Sequence, residues 1–186
     1  CKNMDVTATD KPDLSACQDL NSMFTQCESL VNTNGSISSW NTANVTDMSS
    51  MFEGATAFNQ PLTNFNTQNV TDMSSMFSYA TAFNQPLSFN TQNVTDMGSM
   101  FYGATAFNQP IGNWNTAEVT NMINMFNGAT AFNQPLNSWN TAKVTNMSSM
   151  FNIATSFNQP LNSWNTAKVT NMSYMFSGAT AFNQPI

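Results

Sequence analysis

The sequence contains neither histidine nor arginine, and charged residues make up only 8% of its 186 positions. Soluble domains carry about 25% charged residues on average. Without histidine there is no Cys–His or Ser–His pair to activate a nucleophile, and the few acids recur at regular spacing instead of converging on one cleft. We therefore expect no enzymatic activity, no cofactor and no metal site.

Positive charge is also scarce, because four lysines face ten acidic residues and leave a net charge of −6. Nucleic-acid binding requires a basic surface that displaces phosphate counterions, so this balance argues against nucleic acid as a partner. It also disfavours docking on anionic membranes. The sequence has no run of about 18 apolar residues, so it is not expected to span a membrane.

What the sequence does contain is repetition. The stretch NVTDMSSMFEGATAFNQPL begins at Asn44, and a nearly identical stretch begins at Asn69. Its Met-Phe pair occurs six times, at intervals of 25, 24, 25, 25 and 25 residues: Met51, Met76, Met100, Met125, Met150 and Met175. A degenerate unit around Met23 precedes them. The sequence thus predicts an N-terminal capping region with this first repeat in residues 1–39, and six tandem repeats in residues 40–186, the last one truncated.

Each unit combines two kinds of pattern. Val45, Met48, Met51, Phe52 and Ala55 fall on one face of a short amphipathic helix. The NQPL sequence that follows contains a proline, which cannot continue a helix and favours an extended segment. The predicted fold is a solenoid of leucine-rich-repeat-like α/β coils of about 25 residues, each with one short strand and one short helix. Neighbouring coils have to stack, because one coil cannot bury its apolar stripe alone.

Stacking in register predicts a ladder of identical side chains along the core. The apolar members of this ladder are methionine and phenylalanine. Its polar member is an asparagine that is expected to pair with backbone groups of the turn that would otherwise be buried without a partner. The predicted ladder residues are Met51, Phe52, Phe58, Asn59, Met76, Phe77, Phe83, Asn84, Phe107, Asn108, Phe132, Asn133, Phe157 and Asn158.

The wording of the repeat is itself distinctive. From Leu20 to Ile186, and most clearly in WNTAKVTNMSSMFNIATSFNQPLNSW, the chain resembles the BspA-like repeats of bacterial lipoproteins and cell-surface proteins, a leucine-rich-repeat-like family. The resemblance implies an extracellular or cell-surface, non-catalytic module for adhesion or protein binding. Its partners would be proteins or glycans on a host or neighbouring cell. The alternative is a passive spacer or stalk within a larger surface protein.

The candidate binding residues are small polar side chains on the strand side of each unit. A surface tuned to one partner is expected to differ from coil to coil, whereas these positions vary little, which also suits a spacer. The candidate residues are Thr63, Asn64, Ser88, Asn113, Asn137, Ser138, Asn162 and Ser163.

Three other rows suggest specific ligands, but a structural role explains each of them more simply. Asp47, Asp72 and Asp96 could bind calcium, yet asparagine takes their place in the later units, as a helix cap allows. Regular threonines, as at Thr42 and Thr46, resemble ice-binding surfaces and also suit turns. The aromatic row could stack on sugars, or it could form the edge of the core; its members are Trp40, Phe65, Phe89, Trp114, Trp139 and Trp164.

The two ends of the chain leave further alternatives open. At most one internal disulfide can form among the three cysteines, Cys1, Cys17 and Cys27. Cys17 and Cys27 are alternatively buried thiols. Cys1 is either a lipidated residue or a plain terminus. In the last repeat no further coil covers the apolar ladder. We expect that repeat to self-associate with another molecule or to be the most mobile part, through the exposed residues Met172, Met175, Phe176 and Phe182.

Overall fold

The computed structural model describes residues 4–7, 11–32 and 34–186. Within these ranges the only helix is a short 3₁₀-helix, Ser36–Ser39. The β-structure of the described residues consists of isolated parallel bridges. Six of them link equivalent residues of successive repeats, and a seventh joins the N-terminal segment to the first repeat: Asp19↔Asp47, Asp47↔Asp72, Asp72↔Asp96, Asp96↔Asn121, Asn121↔Asn146, Asn146↔Asn171 and Asp5↔Val31.

These bridges place the repeats side by side, parallel and in register. Asp47 pairs with Asp19 of the preceding repeat and with Asp72 of the following one, and the same relation continues to Asn171. The degenerate first unit therefore takes part in the same stack as the six regular ones. Each repeat contributes one rung, so the repeats support one another and no single repeat is a complete structural unit.

The predicted helix from Val45 to Ala55 is wrong, because the structure forms consecutive turns there. Met51 N–H donates to the Met48 carbonyl three residues earlier, at 3.3 Å. Met48 N–H itself donates to Asp72 of the next repeat, at 3.0 Å. A helix would use these N–H groups internally, whereas here every second one links two repeats. Ser50 and Gly54 have left-handed backbones, with φ of 54° and 67°, which also interrupt a helix.

We call residues 46–54, and the equivalent residues of the other repeats, the turn segment. The predicted strand between Leu62 and Phe65 is not formed either, because Phe65 N–H donates back to the Leu62 carbonyl at 3.1 Å and closes a turn. The extended pairing falls instead at Asp47, inside the turn segment. The backbone bridges between repeats therefore lie in the segment where the periodicity had predicted a helix.

Two columns of phenylalanine rings run through the core. Phe52 stacks on Phe77 of the next repeat with ring centroids 5.7 Å apart, and Phe58 stacks on Phe83 at 6.0 Å. The columns also touch each other, since Phe77 and Phe83 lie 4.1 Å apart. All apolar residues of the predicted ladder are fully buried: Met51, Phe52, Phe58, Met76, Phe77, Phe83, Phe107, Phe132 and Phe157.

The two ends of the stack differ from its interior. Phe24 of the first repeat is buried and stacks on Phe52 at 5.6 Å, but Met23 is 45% exposed although its equivalent Met51 is fully buried. In the last repeat Met172 is exposed and Phe176 is half-buried. Met175 was predicted to be exposed as well, and that prediction is wrong. Its side chain is 6% exposed, because it packs among residues of its own and the preceding repeat.

One backbone position in every turn segment is left-handed and is usually glycine. Three repeats have a larger residue there: Gln26, Tyr79 and Ile153 have φ of 57°, 55° and 57°. Each of these side chains lies over the glycine of the following repeat. A Cβ atom on Gly103, for instance, would lie 2.7 Å from the Tyr79 ring. A bulky residue at this position therefore depends on glycine in the next repeat.

Replacing Phe132 by Ala is expected to lower the free energy of unfolding by about 3–5 kcal/mol, because it removes a fully buried ring. Phe132 touches three other rings, at 4.1 Å in its own repeat and at 6.0 and 6.1 Å in the neighbouring repeats. Urea unfolding measures the change. The half-buried Phe182 is the matched control, and F182A should cost less. Equal losses for the two variants would contradict the proposed role of the ring column.

Gly103→Ala is expected to be more destabilising than Gly128→Ala. Both residues have positive φ, so alanine costs about 1–2 kcal/mol at either position. The new methyl group meets the Tyr79 ring only at residue 103, whereas at residue 128 its nearest neighbour is Gly103 Cα at 3.6 Å. Thermal unfolding of the two variants makes the comparison. If removing the ring with Tyr79→Gly did not reduce the difference, the steric explanation would be wrong.

Candidate binding surface

The eight predicted binding residues lie in the short loops between a buried aliphatic residue and a buried aromatic residue. Thr63 and Asn64, for example, lie between Leu62 and Phe65, both of which pack in the core. Because the flanking side chains are turned inward, the residues between them lie at the surface, and all eight are exposed or half-buried. We call these eight residues the polar turn face: Thr63, Asn64, Ser88, Asn113, Asn137, Ser138, Asn162 and Ser163.

Hydrogen bonds join successive loops of this face over its C-terminal half. The Ser138 hydroxyl donates to the Gly112 carbonyl at 2.5 Å. Ser163 N–H donates to Asn137 Oδ1 at 3.0 Å, and the Ser163 hydroxyl donates to the same oxygen at 2.7 Å. The loops from Gly112 to Ser163 are therefore held against one another as one surface.

The N-terminal half of the polar turn face is less connected. Thr63, Asn64 and Ser88 are exposed, and their side chains make no hydrogen bond to other described residues. The loop at Ser88 is one residue shorter than the others, which interrupts the regular spacing at this point. The whole face is uncharged, so it offers amide and hydroxyl groups that suit neutral polar ligands such as sugar hydroxyls or peptide groups.

Sequence reasoning missed a second surface feature, a pair of tyrosines in neighbouring turn segments. The Tyr79 and Tyr102 rings meet edge to face, with centroids 4.9 Å apart and planes at 75°. Tyr79 is 48% exposed. Its hydrogen bond with the Tyr102 side chain raises the pKa of Tyr79 above the usual value of a tyrosine. The signal in the sequence was the replacement of a glycine by Tyr79, at a position where four units retain glycine.

The asparagines of the predicted ladder form a continuous hydrogen-bonded row. Asn59 Oδ1 accepts a hydrogen bond from the backbone N–H of Asn84 at 3.0 Å and another from the Gln85 amide at 3.0 Å. Asn84 does the same for Asn108 and Gln109. The side-chain oxygens of this row therefore join one repeat to the next, as predicted for a structural ladder.

A family model described as "Mycoplasma protein of unknown function, DUF285" matches the chain twice, over residues 1–89 and 87–186. The chain belongs to the DUF285 family. Neither the curated proteins nor the solved structures contain a significant match to it. The two matched ranges meet near the middle of the chain, and each of them spans several 25-residue units. The predicted boundary between a capping region and the tandem repeats, after residue 39, stays a prediction. No helix among the described residues is long and apolar enough to cross a membrane.

The acidic row of this DUF285 protein caps turns. Asp47 Oδ1 accepts hydrogen bonds from the Ser49 N–H at 2.8 Å and from its hydroxyl at 2.6 Å. Asn146 makes the same two bonds to Ser148, at 3.0 and 2.8 Å. Aspartate and asparagine are thus interchangeable as caps, although the capped element is a turn and not the predicted helix. Across the part of the chain that the structure describes, no three acidic, cysteine or histidine side chains are grouped to hold a metal ion.

The buried rows of the DUF285 repeat are also committed to structure. The Thr42 hydroxyl is fully buried, donates to the Asn66 carbonyl at 3.0 Å and accepts from the Asn66 N–H at 2.9 Å. A threonine in this position cannot contact ice. The Trp139 ring is buried and its Nε1–H donates to the Ile111 carbonyl at 3.1 Å, so it lies at the edge of the core and is not available to stack on a sugar.

The cysteines of the first repeat are free thiols. Cys27 is buried, and Cys17 is half-buried with its thiol donating to the Asp19 carbonyl at 3.3 Å. The alternative of a buried thiol therefore describes Cys27 but not Cys17, and no disulfide joins the two. Cys1, the residue for which lipidation was considered, lies outside the described residues.

Asp72→Asn is expected to change the free energy of unfolding very little, because the amide oxygen can accept the Ser74 N–H that Asp72 Oδ1 accepts now at 2.8 Å. Asp72→Ala removes the acceptor and is expected to cost about 1 kcal/mol, as lost caps do. Urea unfolding with and without calcium measures both effects. A calcium-dependent rise in the stability of the parent chain that D72N abolishes would contradict the capping role.

Proposed function

We propose that this DUF285 protein is a non-catalytic recognition module. Its repeats form a solenoid, and the polar turn face of that solenoid binds a protein or a glycan. The observation that carries the proposal is the uncharged, hydrogen-bonded row of loops from Gly112 to Ser163. Proteins commonly bind partners through loops that a rigid scaffold holds in place.

The solenoid part of the proposal rests on the regular stacking of the repeats. Equivalent residues pair in parallel from Asp19 to Asn171, and phenylalanine rings of successive repeats lie 5.6–6.1 Å apart. Such a stack presents the same loop at a constant interval. A ligand that is itself repetitive, such as a polysaccharide or an extended peptide, could contact several loops at once, and its affinity would increase through multivalency.

The proposed location is the cell surface or the extracellular space. Its support is the likeness of the repeat sequence to BspA-like surface proteins, together with a composition low in charged residues and without histidine. The partner we propose is a protein or glycan of a host cell or of a neighbouring cell. The exposed Tyr79 and the half-buried Tyr102 form a second candidate contact, because their rings combine apolar area with a polar hydroxyl group.

The alternative function is a passive spacer within a larger surface protein. The similarity of the loops favours it, since Asn137 and Ser138 are repeated as Asn162 and Ser163. A spacer needs only the stack itself, and it predicts that changes on the polar turn face have no effect on binding to cells.

Glycan-array and cell-binding assays with the purified chain distinguish these functions. Asn113→Ala combined with Asn162→Ala alters two side chains of the polar turn face that make no hydrogen bond to other described residues. We expect at least about a tenfold loss of binding, which corresponds to ~1.4 kcal/mol.

The matched control for this double variant is Gln68→Ala with Gln92→Ala, which changes two exposed side chains outside the polar turn face. The control is expected to bind like the parent chain. Absence of binding by the parent would support the spacer. A loss confined to Tyr79→Ser would move the binding site to the tyrosine pair.

A further inference from the structure

We propose that the surface of the turn segments around Gly128 is a second binding site, and that its ligand is a neutral glycan. The inference rests on the recognition function proposed above, but it does not depend on the polar turn face, which is built from other loops. We call this site the lateral notch. Its residues are Tyr79, Tyr102, Asn127, Gly128, Asn152 and Ile153.

Two residues of the lateral notch have a strained backbone. Tyr79 and Ile153 have φ of 55° and 57°, at the position where four of the six regular units have glycine. The left-handed conformation is unfavourable for any residue with a Cβ atom. It is least favourable for bulky and β-branched side chains, which are the types found at Tyr79 and Ile153.

Burial does not offset this strain. Tyr79 is 48% exposed and Ile153 is 51% exposed, so neither side chain belongs to the core. Glycine in the other units shows that the stack does not require a side chain at this position. Strained residues that a fold does not require are concentrated at binding and catalytic sites. Tyr79 and Ile153 therefore indicate a contact with a molecule outside the stack.

The two strained side chains lie on either side of a depression. They are three repeats apart, which is about 14 Å at the spacing of paired strands. The Tyr79 ring lies over Gly103, and Ile153 lies over Gly178. Between them, a Cβ atom on Gly128 would have only the backbone of Gly103 near it, at 3.6 and 3.7 Å. The floor of the notch is therefore bare backbone at Gly128.

A row of polar side chains lies beside this depression. Tyr102, Asn127 and Asn152 are half-buried and directly precede the residues of the strained column. The Asn152 side chain makes no hydrogen bond to other described residues. The Asn127 amide donates to Asn124 Oδ1 at 3.1 Å, and its own Oδ1 receives no hydrogen bond from the described residues. The row thus offers amide donors and acceptors to a ligand.

This combination of groups fits a sugar. The exposed Tyr79 ring can pack against the C–H face of a pyranose, while the asparagine amides bind its hydroxyl groups. Glu53 is the one charged residue in the two rows, residues 53 and 54 and their equivalents in the other five regular units, and its negative charge disfavours an anionic sugar. We therefore expect the glycan to be uncharged.

An extended peptide fits the lateral notch less well. Peptides that add to a sheet pair with free main-chain groups. The N–H groups of Tyr79, Gly103, Gly128 and Ile153 instead donate to the next repeat at 2.6–2.8 Å. Recognition at this surface therefore falls to side chains.

NMR of the chain labelled with ¹³C-tyrosine tests the site directly, because the chain has only three tyrosines. The probes are two neutral trisaccharides, chitotriose and maltotriose, each added up to about 10 mM, which would detect a Kd of about 1 mM. At least one of them is expected to shift the ring signals of Tyr79 and Tyr102 and to leave Tyr174 unchanged.

Tyr79→Asn and Ile153→Asn separate binding from a structural role. Asparagine tolerates the left-handed conformation better than tyrosine or isoleucine. Each variant is therefore expected to bind the trisaccharide at least about tenfold more weakly, as read from Tyr102, with no decrease in melting temperature. Asn113→Ala with Asn162→Ala, on the polar turn face, is the control and should leave the tyrosine shifts as in the parent. A decrease in melting temperature for Ile153→Asn without a loss of binding would show that Ile153 serves packing and would overturn the proposal.

The remaining outcomes also decide the question. No shift at Tyr79 and Tyr102 with either trisaccharide would overturn the lateral notch, whatever the polar turn face binds. Shifts produced only by the anionic sugar sialyllactose, or only by the uncharged peptide acetyl-tetraserine amide, would overturn the assignment to a neutral glycan. Conversely, tyrosine shifts in a chain whose polar turn face variants bind cells like the parent would support the notch and count against the polar turn face alone.

Discussion

The hydrogen bonds between successive turn segments are the interaction on which the rest of the structure depends. Because Met48 and every second residue after it donate to the next repeat, the backbone of one repeat is satisfied only when another lies beside it. The intervening N–H groups close short turns within the repeat. N–H groups that donate within the repeat thus alternate with N–H groups that donate to the next repeat, and this alternation requires left-handed residues such as Ser50 and Gly54. The hydrogen bonds between repeats also set the register in which the phenylalanine rings stack.

A fixed register also explains why the same residue type recurs in every unit. A ring at Phe77 has to match Phe52 before it and Phe101 after it, and the angles between these planes are only 4–5°. The loop beyond the core is less constrained, since the unit with Ser88 is one residue shorter and its bridges remain in register. Trp114 Nε1, which follows the short loop, is buried without a partner among the described residues, whereas Trp139 Nε1 donates to Ile111.

The sequence predicted the repeat length, the buried ladder and the outward position of the polar turn face, because these depend on the spacing of apolar residues. It did not predict the backbone within the turn segment. The spacing of Met48, Met51 and Phe52 is compatible with a helix and equally with successive turns, and periodicity alone cannot separate the two. The residue before each second methionine, usually serine, and the glycine four residues after it in four of the units were the distinguishing signs. The Tyr79–Tyr102 contact depended on the packing of two repeats and could not be read from either one.

The column of left-handed positions limits how such a protein can gain or lose copies of its unit. Gln26, Tyr79 and Ile153 each lie over a glycine, and glycine separates them along the column. Deleting the two units that contain Gly103 and Gly128 would place Tyr79 directly against Ile153, where no room exists for a second side chain. Units that look similar in sequence are therefore not freely exchangeable in order, because a bulky residue in this column requires that the following repeat lack a Cβ atom at the same position.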